Sequence, residues 1–266
     1  MNTDFTNTVA SKEALMTKVP EWNHYKFYIS DNEYKPVPRV SEILDACIGK
    51  SYLQSWAAGL GSTYESTRQM ILNTGTYAHI LIEDFLKYGN IRDENKEFDS
   101  NRPYYREQAL KCYSNFVAWW NNMIEQGFKI DILAIEKPIV CKLYGGTADI
   151  IARIKDPNGL VGNYILDFKT STSISIDYFY QTVMYMYAMN NNDNETIKID
   201  GVGVIRCDKY RSVYEYLIIN KQKDPEFINC LRETTRSMVE YYYRRIESEY
   251  QYQLVRDKYL KDYKWV

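Results

Sequence analysis

The chain has 266 residues, enough for one large domain with a full core. Apolar residues make up 45% and charged residues 26%, the balance of a soluble globular protein. A net charge of −2 and a pI of about 5.9 exclude a strongly basic duplex-coating protein, so any nucleic-acid contact must rest on a local groove and a metal.

No run approaches the roughly 20 apolar residues of a membrane span. No basic end is followed by an apolar block, so no signal peptide is expected. The five cysteines (47, 112, 141, 207 and 230) are scattered and never spaced Cys-x-x-Cys. That points to reduced thiols and a cytoplasmic location, and away from a zinc ribbon or an iron–sulfur cluster.

Residues 1–20 show no periodicity and are expected to form a flexible lead. Residues 21–266 carry no internal repeat and no Pro/Gly/Ser-rich linker, so they are expected to be a single domain. A small hairpin is predicted over residues 25–37, ending at Pro36 and Pro38. Ser41 is expected to cap a helix over 42–48. A second helix follows over 51–60, with Leu53 and Trp56 facing inward. Residues 64–87 are strongly helical, with Met70, Ile71, Ala78, Leu81, Ile82 and Phe85 on an apolar face. Gly75 interrupts that stretch at a cost near 1 kcal/mol, which marks a break or a close approach.

After a charged loop over 90–101, Pro103 opens a helix to about residue 125. Its Leu110, Tyr113, Phe116, Trp119 and Met123 are spaced for burial. Strands are predicted over 129–140, 142–154 and 161–169, and a helix over 176–190 with Tyr180, Val183, Met184 and Tyr187 on one stripe. Strands over 198–208 and 212–219 precede a long helix that Pro225 opens and that reaches Tyr250 or beyond. The order describes an α/β core, with a meander, a crossover helix and two more strands, inside a helical wrapper.

The chemistry concentrates on one predicted hairpin. Asp156-Pro-Asn-Gly159 is a strong turn signal between two arms rich in β-branched residues. Asp149 and Asp167 both lie nine positions from Asn158, so folding there sets them opposite each other. Opposed residues bring their Cβ atoms to roughly 4.5–5.5 Å. Two carboxylates that close repel, and a divalent cation would supply the counter-charge. Lys169 lies two residues after Asp167 and points to the same side. Two acids and a lysine at one spot suggest metal-assisted hydrolysis of a phosphate ester.

Other residues stand where they can join this set. Gly75, His79 and Glu83 share one helical face, and His79 is one of only two histidines. An imidazole and a carboxylate one turn apart can join a metal site or bond each other. His-x-x-x-Glu is not the zinc-protease pattern. Gly145-Gly146 ahead of Asp149 allows a close approach. Glu136, on the preceding strand, can add a further acid. Gln181 and Tyr185, four apart on the crossover helix, can aim an amide and a phenol at the same pocket.

In order and rough spacing, Gly75-x-x-x-His79-x-x-x-Glu83, Glu136, Gly146-Thr-Ala-Asp149, Asp167-Phe-Lys169-Thr-Ser and Gln181-x-x-x-Tyr185 resemble the PD-(D/E)XK nuclease superfamily. The likeness is greatest to the RecB-like exonuclease branch, which includes phage and mitochondrial genome-maintenance exonucleases. Pro38-Arg-Val-Ser41-Glu-Ile-Leu and Leu53-x-x-Trp56 resemble that branch's lead-in.

The resemblance covers roughly residues 25 to 220 and implies a restriction-endonuclease-like fold, a mixed central sheet flanked by helices. It implies one or two Mg²⁺ or Mn²⁺ ions, with His79, Asp149, Asp167 and the Phe168 carbonyl as ligands. Lys169 would activate or orient water, or stabilise charge on the phosphate. Gln181 and Tyr185 would support the site or hold the DNA backbone, and Glu83 and Glu136 would assist as ligands or partners. Iron–sulfur relatives carry a terminal cysteine cluster; only Cys230 lies in that region here, so no cluster is expected.

The expected activity is a metal-dependent DNA exonuclease acting on single-stranded or frayed ends in replication, recombination or repair. If phage-encoded, it would work in the host cytoplasm. Two other readings compete: an endonuclease or junction resolvase on the same fold, and a non-catalytic nucleic-acid-binding or assembly protein.

Overall fold

The computed structural model describes residues 26–30, 33–49, 51–92 and 103–260. The expected flexible lead lies outside the described residues. Two antiparallel strands, β1 (Lys26–Ser30) and β2 (Glu33–Val37), form the small hairpin. Helices α1 (Val40–Cys47), α2 (Ser51–Leu60), α3 (Tyr64–Tyr88) and α4 (Pro103–Glu125) follow, with a 3-10 turn at Gly61–Thr63. Then come β3 (Lys129–Val140), β4 (Gly145–Lys155), β5 (Val161–Lys169), α5 (Ile176–Asn190), β6 (Gly201–Cys207), β7 (Tyr214–Asn220) and α6 (Pro225–Leu260).

The main sheet runs β3-β4-β5-β6-β7, with β5 and β6 parallel and the other neighbours antiparallel. The chain is therefore mixed α/β, a five-stranded mixed sheet flanked by helices. The α5 crossover is what a parallel pair requires.

Alternation decides which layer each strand residue joins. Ile151, Ile165, Val202 and Val204 pack with α1, α5 and α6. Ile150, Leu166, Phe168 and Ile205 pack with α3 and α4 on the opposite face. Every residue of β6 is buried, as a strand covered on both faces must be. Burying each large aliphatic side chain contributes about 1.5–3 kcal/mol.

The hairpin turn forms as its residues require. The Asp156 carboxylate accepts the Leu160 N–H at 2.9 Å, and Gly159 takes a φ of +92°, open to glycine and costly to other residues. Pairs then run without a slip from Lys155↔Val161 to Ile150↔Leu166.

Some local expectations change. Arg39, not Ser41, precedes the first helical residue of α1; the Glu42 carboxylate reaches back to the Arg39 N–H, and Ser41 lies exposed inside the first turn. Trp56 is 36% exposed and meets Tyr64 edge-on at 5.5 Å; the Leu53 side chain lies outside the described residues. Gly75 does not break α3, which continues through it. A Cβ there would meet Thr170 Oγ1 at 3.7 Å, an ordinary contact, so the glycine marks where the helix passes the end of β5. Among the described residues no helix is long and apolar enough to cross a membrane.

Candidate active site

The β4–β5 ladder ends at Ile150↔Leu166, one rung short of Asp149 and Asp167, as counting from the turn predicts. There the Asp149 carboxylate accepts the Phe168 backbone N–H at 2.7 Å and ties the two strands together. A β-bulge on β3 shifts its register with β4 between Ile132 and Ala134. Ile135↔Ile150 and Lys137↔Ala148 then place Glu136 across from Asp149; without the shift Ile135 would stand there. Glu136 holds a φ of +48°, a left-handed conformation that costs a non-glycine residue about 1–3 kcal/mol.

His79 projects from α3 toward these acids. Its Nδ1 lies 3.6 Å from Asp149 Oδ1 and 3.9 Å from Glu136 Oε1. One imidazole nitrogen and two carboxylate oxygens, from three separate elements, all lie within 4.8 Å of one another. The His79 ring also meets Phe168 edge-on at 5.9 Å, which limits its rotation.

Lys169 organises the neighbouring group. Its Nζ lies 2.6 Å from Asp167 Oδ2 and donates to Gln181 Oε1 at 3.3 Å. The Asp167 contact is a close ion pair without hydrogen-bond alignment, so Asp167 Oδ2 is buried with no well-directed donor. Gln181 Nε2 contacts the Tyr185 hydroxyl at 3.2 Å, and the Tyr178 ring lies 5.1 Å from the ammonium. Tyr185 rests on Gly146: a Cβ there would fall 2.3 Å from its ring, so β4 needs glycine at this point.

Burial dominates the electrostatics. It pushes the Asp149 carboxyl up to about 6; His79 opposes the rise, Asp167 adds to it, and Lys169 opposes it again. Burial also disfavours the charged His79, but Asp149 and then Glu136 outweigh it and leave the imidazole above its ordinary value. At Lys169 burial is outweighed by Asp167 and Asp149, and the ammonium is raised.

A cleft of about 770 Å³ opens over the cluster. His79, Glu136, Asp149 and Lys169 line it together with Tyr178 and Lys209.

The structure thus brings His79, Asp149 and Glu136 together. Asp167, the other expected carboxylate ligand, stands outside that group of three and has its carboxylate against Lys169. Phe168 offers its N–H to Asp149 and its ring to His79. Glu83 lines the cleft and pairs with Lys87 one turn along α3. Gln181 and Tyr185 both reach the Lys169 network. Tyr178 and Lys209 lie outside the motifs that the sequence offers. Tyr178 had a signal, three residues before Gln181 on the same helix. Lys209 had none, since only the parallel β5–β6 pairing carries it to the cleft.

No family model matches the chain, and no curated protein matches it. Among solved structures, the crystal structure of SSO0001 aligns over 61% of this chain and 74% of its own, at 16% identity and a TM-score of 0.25. A likeness that slight bears on neither fold nor function.

Proposed function

We propose that this chain is a divalent-metal-dependent deoxyribonuclease of the PD-(D/E)XK superfamily, with a restriction-endonuclease-like core, cutting DNA from its ends. One observation carries the reading. His79, Glu136 and Asp149 converge within 4.8 Å beside the Asp167–Lys169 pair, all bordering or adjoining one open cleft. The preference for ends, and the RecB-like branch, rest on the ordered motifs from Gly75 to Tyr185.

The donor set fits the cation. Hard oxygen donors with a single imidazole suit Mg²⁺ or Mn²⁺ better than zinc. The closely set acids, and the cost of keeping Asp149 ionised while buried, are what a cation there would relieve. His79, Glu136 and Asp149 would hold it, with Asp167 at the edge. When bound, such an ion neutralises phosphate charge and makes water more acidic.

The chain's own groups supply the rest. Lys169, fixed by Asp167 and Gln181, presents an N–H to a non-bridging phosphate oxygen and stabilises charge that builds up during attack by water. Tyr185 and Gln181 keep the ammonium in place. Attack by water breaks one P–O bond, and the proton from water ends on the departing oxygen or on solvent.

The test is digestion of end-labelled single- and double-stranded DNA with Mg²⁺, Mn²⁺ or EDTA. Short labelled products with either metal and none with EDTA are expected. A clean preparation that cuts nothing with either metal overturns the enzyme reading. Closed single-stranded circles cut as fast as linear strands would replace the exonuclease with an endonuclease.

A further inference from the structure

We infer that Lys209 forms a second phosphate-binding point in the cleft, for a phosphate next to the one being cut; the inference rests on the nuclease reading above. β5 and β6 are parallel, so their carboxyl ends emerge on the same side of the sheet. Thr170 and Ser171 leave the end of β5, while Asp208 and Lys209 leave the end of β6, and Thr170, Ser171 and Lys209 all line the cleft. Crevices at the carboxyl ends of such strands are where open α/β sheets receive ligands.

Lys209 reaches this wall with its charge uncommitted. Among the described residues no acid forms an ion pair with it; its one close partner is the Tyr210 ring at 5.8 Å. Asp208, its neighbour, is committed elsewhere. Its carboxylate takes Arg206 at 2.6 Å and Arg211 at 3.0 Å, and accepts the Tyr210 and Arg211 backbone N–H groups, both at 2.9 Å. Burial, weakly countered by Cys112 and Asp208, pulls the Lys209 ammonium below its ordinary value. A half-buried cation left unpaired on a cleft wall is stabilised by an anion arriving in that cleft.

The wall is braced. Arg206 is 1% exposed and donates from Nε to the Ser171 carbonyl at 2.8 Å while its Nη2 holds Asp208. One buried guanidinium therefore fixes both segments that flank the proposed phosphate. The acids His79 faces stand on β3 and β4, and Lys209 follows β6 across β5, so one cleft offers a cation-holding part and a phosphate-holding part. A polynucleotide strand carries successive phosphates, one to meet the cation and the next to meet Lys209; a lone phosphate ester carries one.

Binding of a fluorescein-labelled single-stranded oligodeoxynucleotide with Ca²⁺, followed by anisotropy across a salt series, tests this. Lys209→Gln is expected to weaken binding about 5- to 10-fold and to flatten the log–log salt slope by about 0.7, the share of one contact to single-stranded nucleic acid. Lys209→Arg should stay close to wild type. Lys155→Gln, at the far end of β4 and roughly 20 Å from Asp149 by strand rise, should leave both quantities unchanged. Thermal melting of each variant reports that it folds; a merely structural role would lower the melting point and leave the slope alone. If Lys209→Gln matches Lys155→Gln, the phosphate point is wrong and the nuclease reading stands. If wild type binds no oligonucleotide, both fail.

Discussion

Asp149 meets opposed demands, and its ionisation shows which one the fold serves. Burial raises its carboxyl from 3.8 to about 6. With the folded value above the unfolded one, the protonated form's advantage to stability is complete below 3.8 and lost as pH rises through about 6. At neutral pH the metal-free protein therefore carries a buried charge that costs stability. Asp149→Asn is expected to melt higher than wild type in EDTA at pH 7.5, with the difference vanishing near pH 4, and to lose the rise in melting temperature that Mn²⁺ gives wild type. A lower melting point for the variant at pH 7.5 would show that Asp149 stabilises the fold and does not strain it. The left-handed φ of Glu136 points the same way: backbone strain is held where the acid must face His79.

Two contacts between elements hold the site's shape. Tyr185 on α5 rests on Gly146 of β4, and through Gln181 it steadies Lys169. Gly146→Ala places a Cβ 2.3 Å from a ring that is only 4% exposed, so a loss of about 1–3 kcal/mol is expected in chemical denaturation. Adding Tyr185→Ala removes the clash, so the two changes should be less than additive; strict additivity would mean that the ring is not the obstacle. The second contact is the Arg206–Asp208 network behind the cleft. Burial opposes the charge of Asp208, but the N–H groups of Tyr210 and Arg211, and then the two guanidinium groups, hold its carboxyl far below the usual range. The folded value lies below the unfolded 3.8, so this stability is full above 3.8 and lost as pH falls through the lowered folded value. Asp208→Asn should therefore lose roughly 3 kcal/mol at pH 7, because it takes from buried Arg206 its nearest carboxylate and leaves it only the exposed Glu215 at 3.5 Å, and the gap should close in strong acid. An undiminished melting point at pH 7 would remove the network as a brace.

For the molecule as a whole, what the sequence disclosed and what it hid follow the range of the interactions. The hairpin register was readable because Asp-Pro-Asn-Gly pins the turn locally and strand pairing then counts outward to Ile150↔Leu166. The buried face of α3 was readable in Ala78, Leu81 and Ile82 for the same reason, helical period. Glu136 was readable as a further acid on the preceding strand, but the register shift and the positive φ at its position have no signature in residue type. The 2.6 Å contact between Asp167 and Lys169 follows from their two-residue spacing, but spacing does not say which acids gather around His79. Lys209 depended on strands joined in parallel across a whole crossover helix, the least local contact in the sheet. These distant pieces meet at one end of the sheet, and on the proposed function they together hydrolyse phosphodiester bonds. The most direct measurement is the single-turnover cleavage rate of an end-labelled DNA strand with saturating Mn²⁺, for wild type, Asp167→Ala and Lys169→Ala. Metal-dependent cleavage by wild type and a fall of about 100-fold or more in each variant are expected; equal rates for all three proteins would rule out the nuclease site.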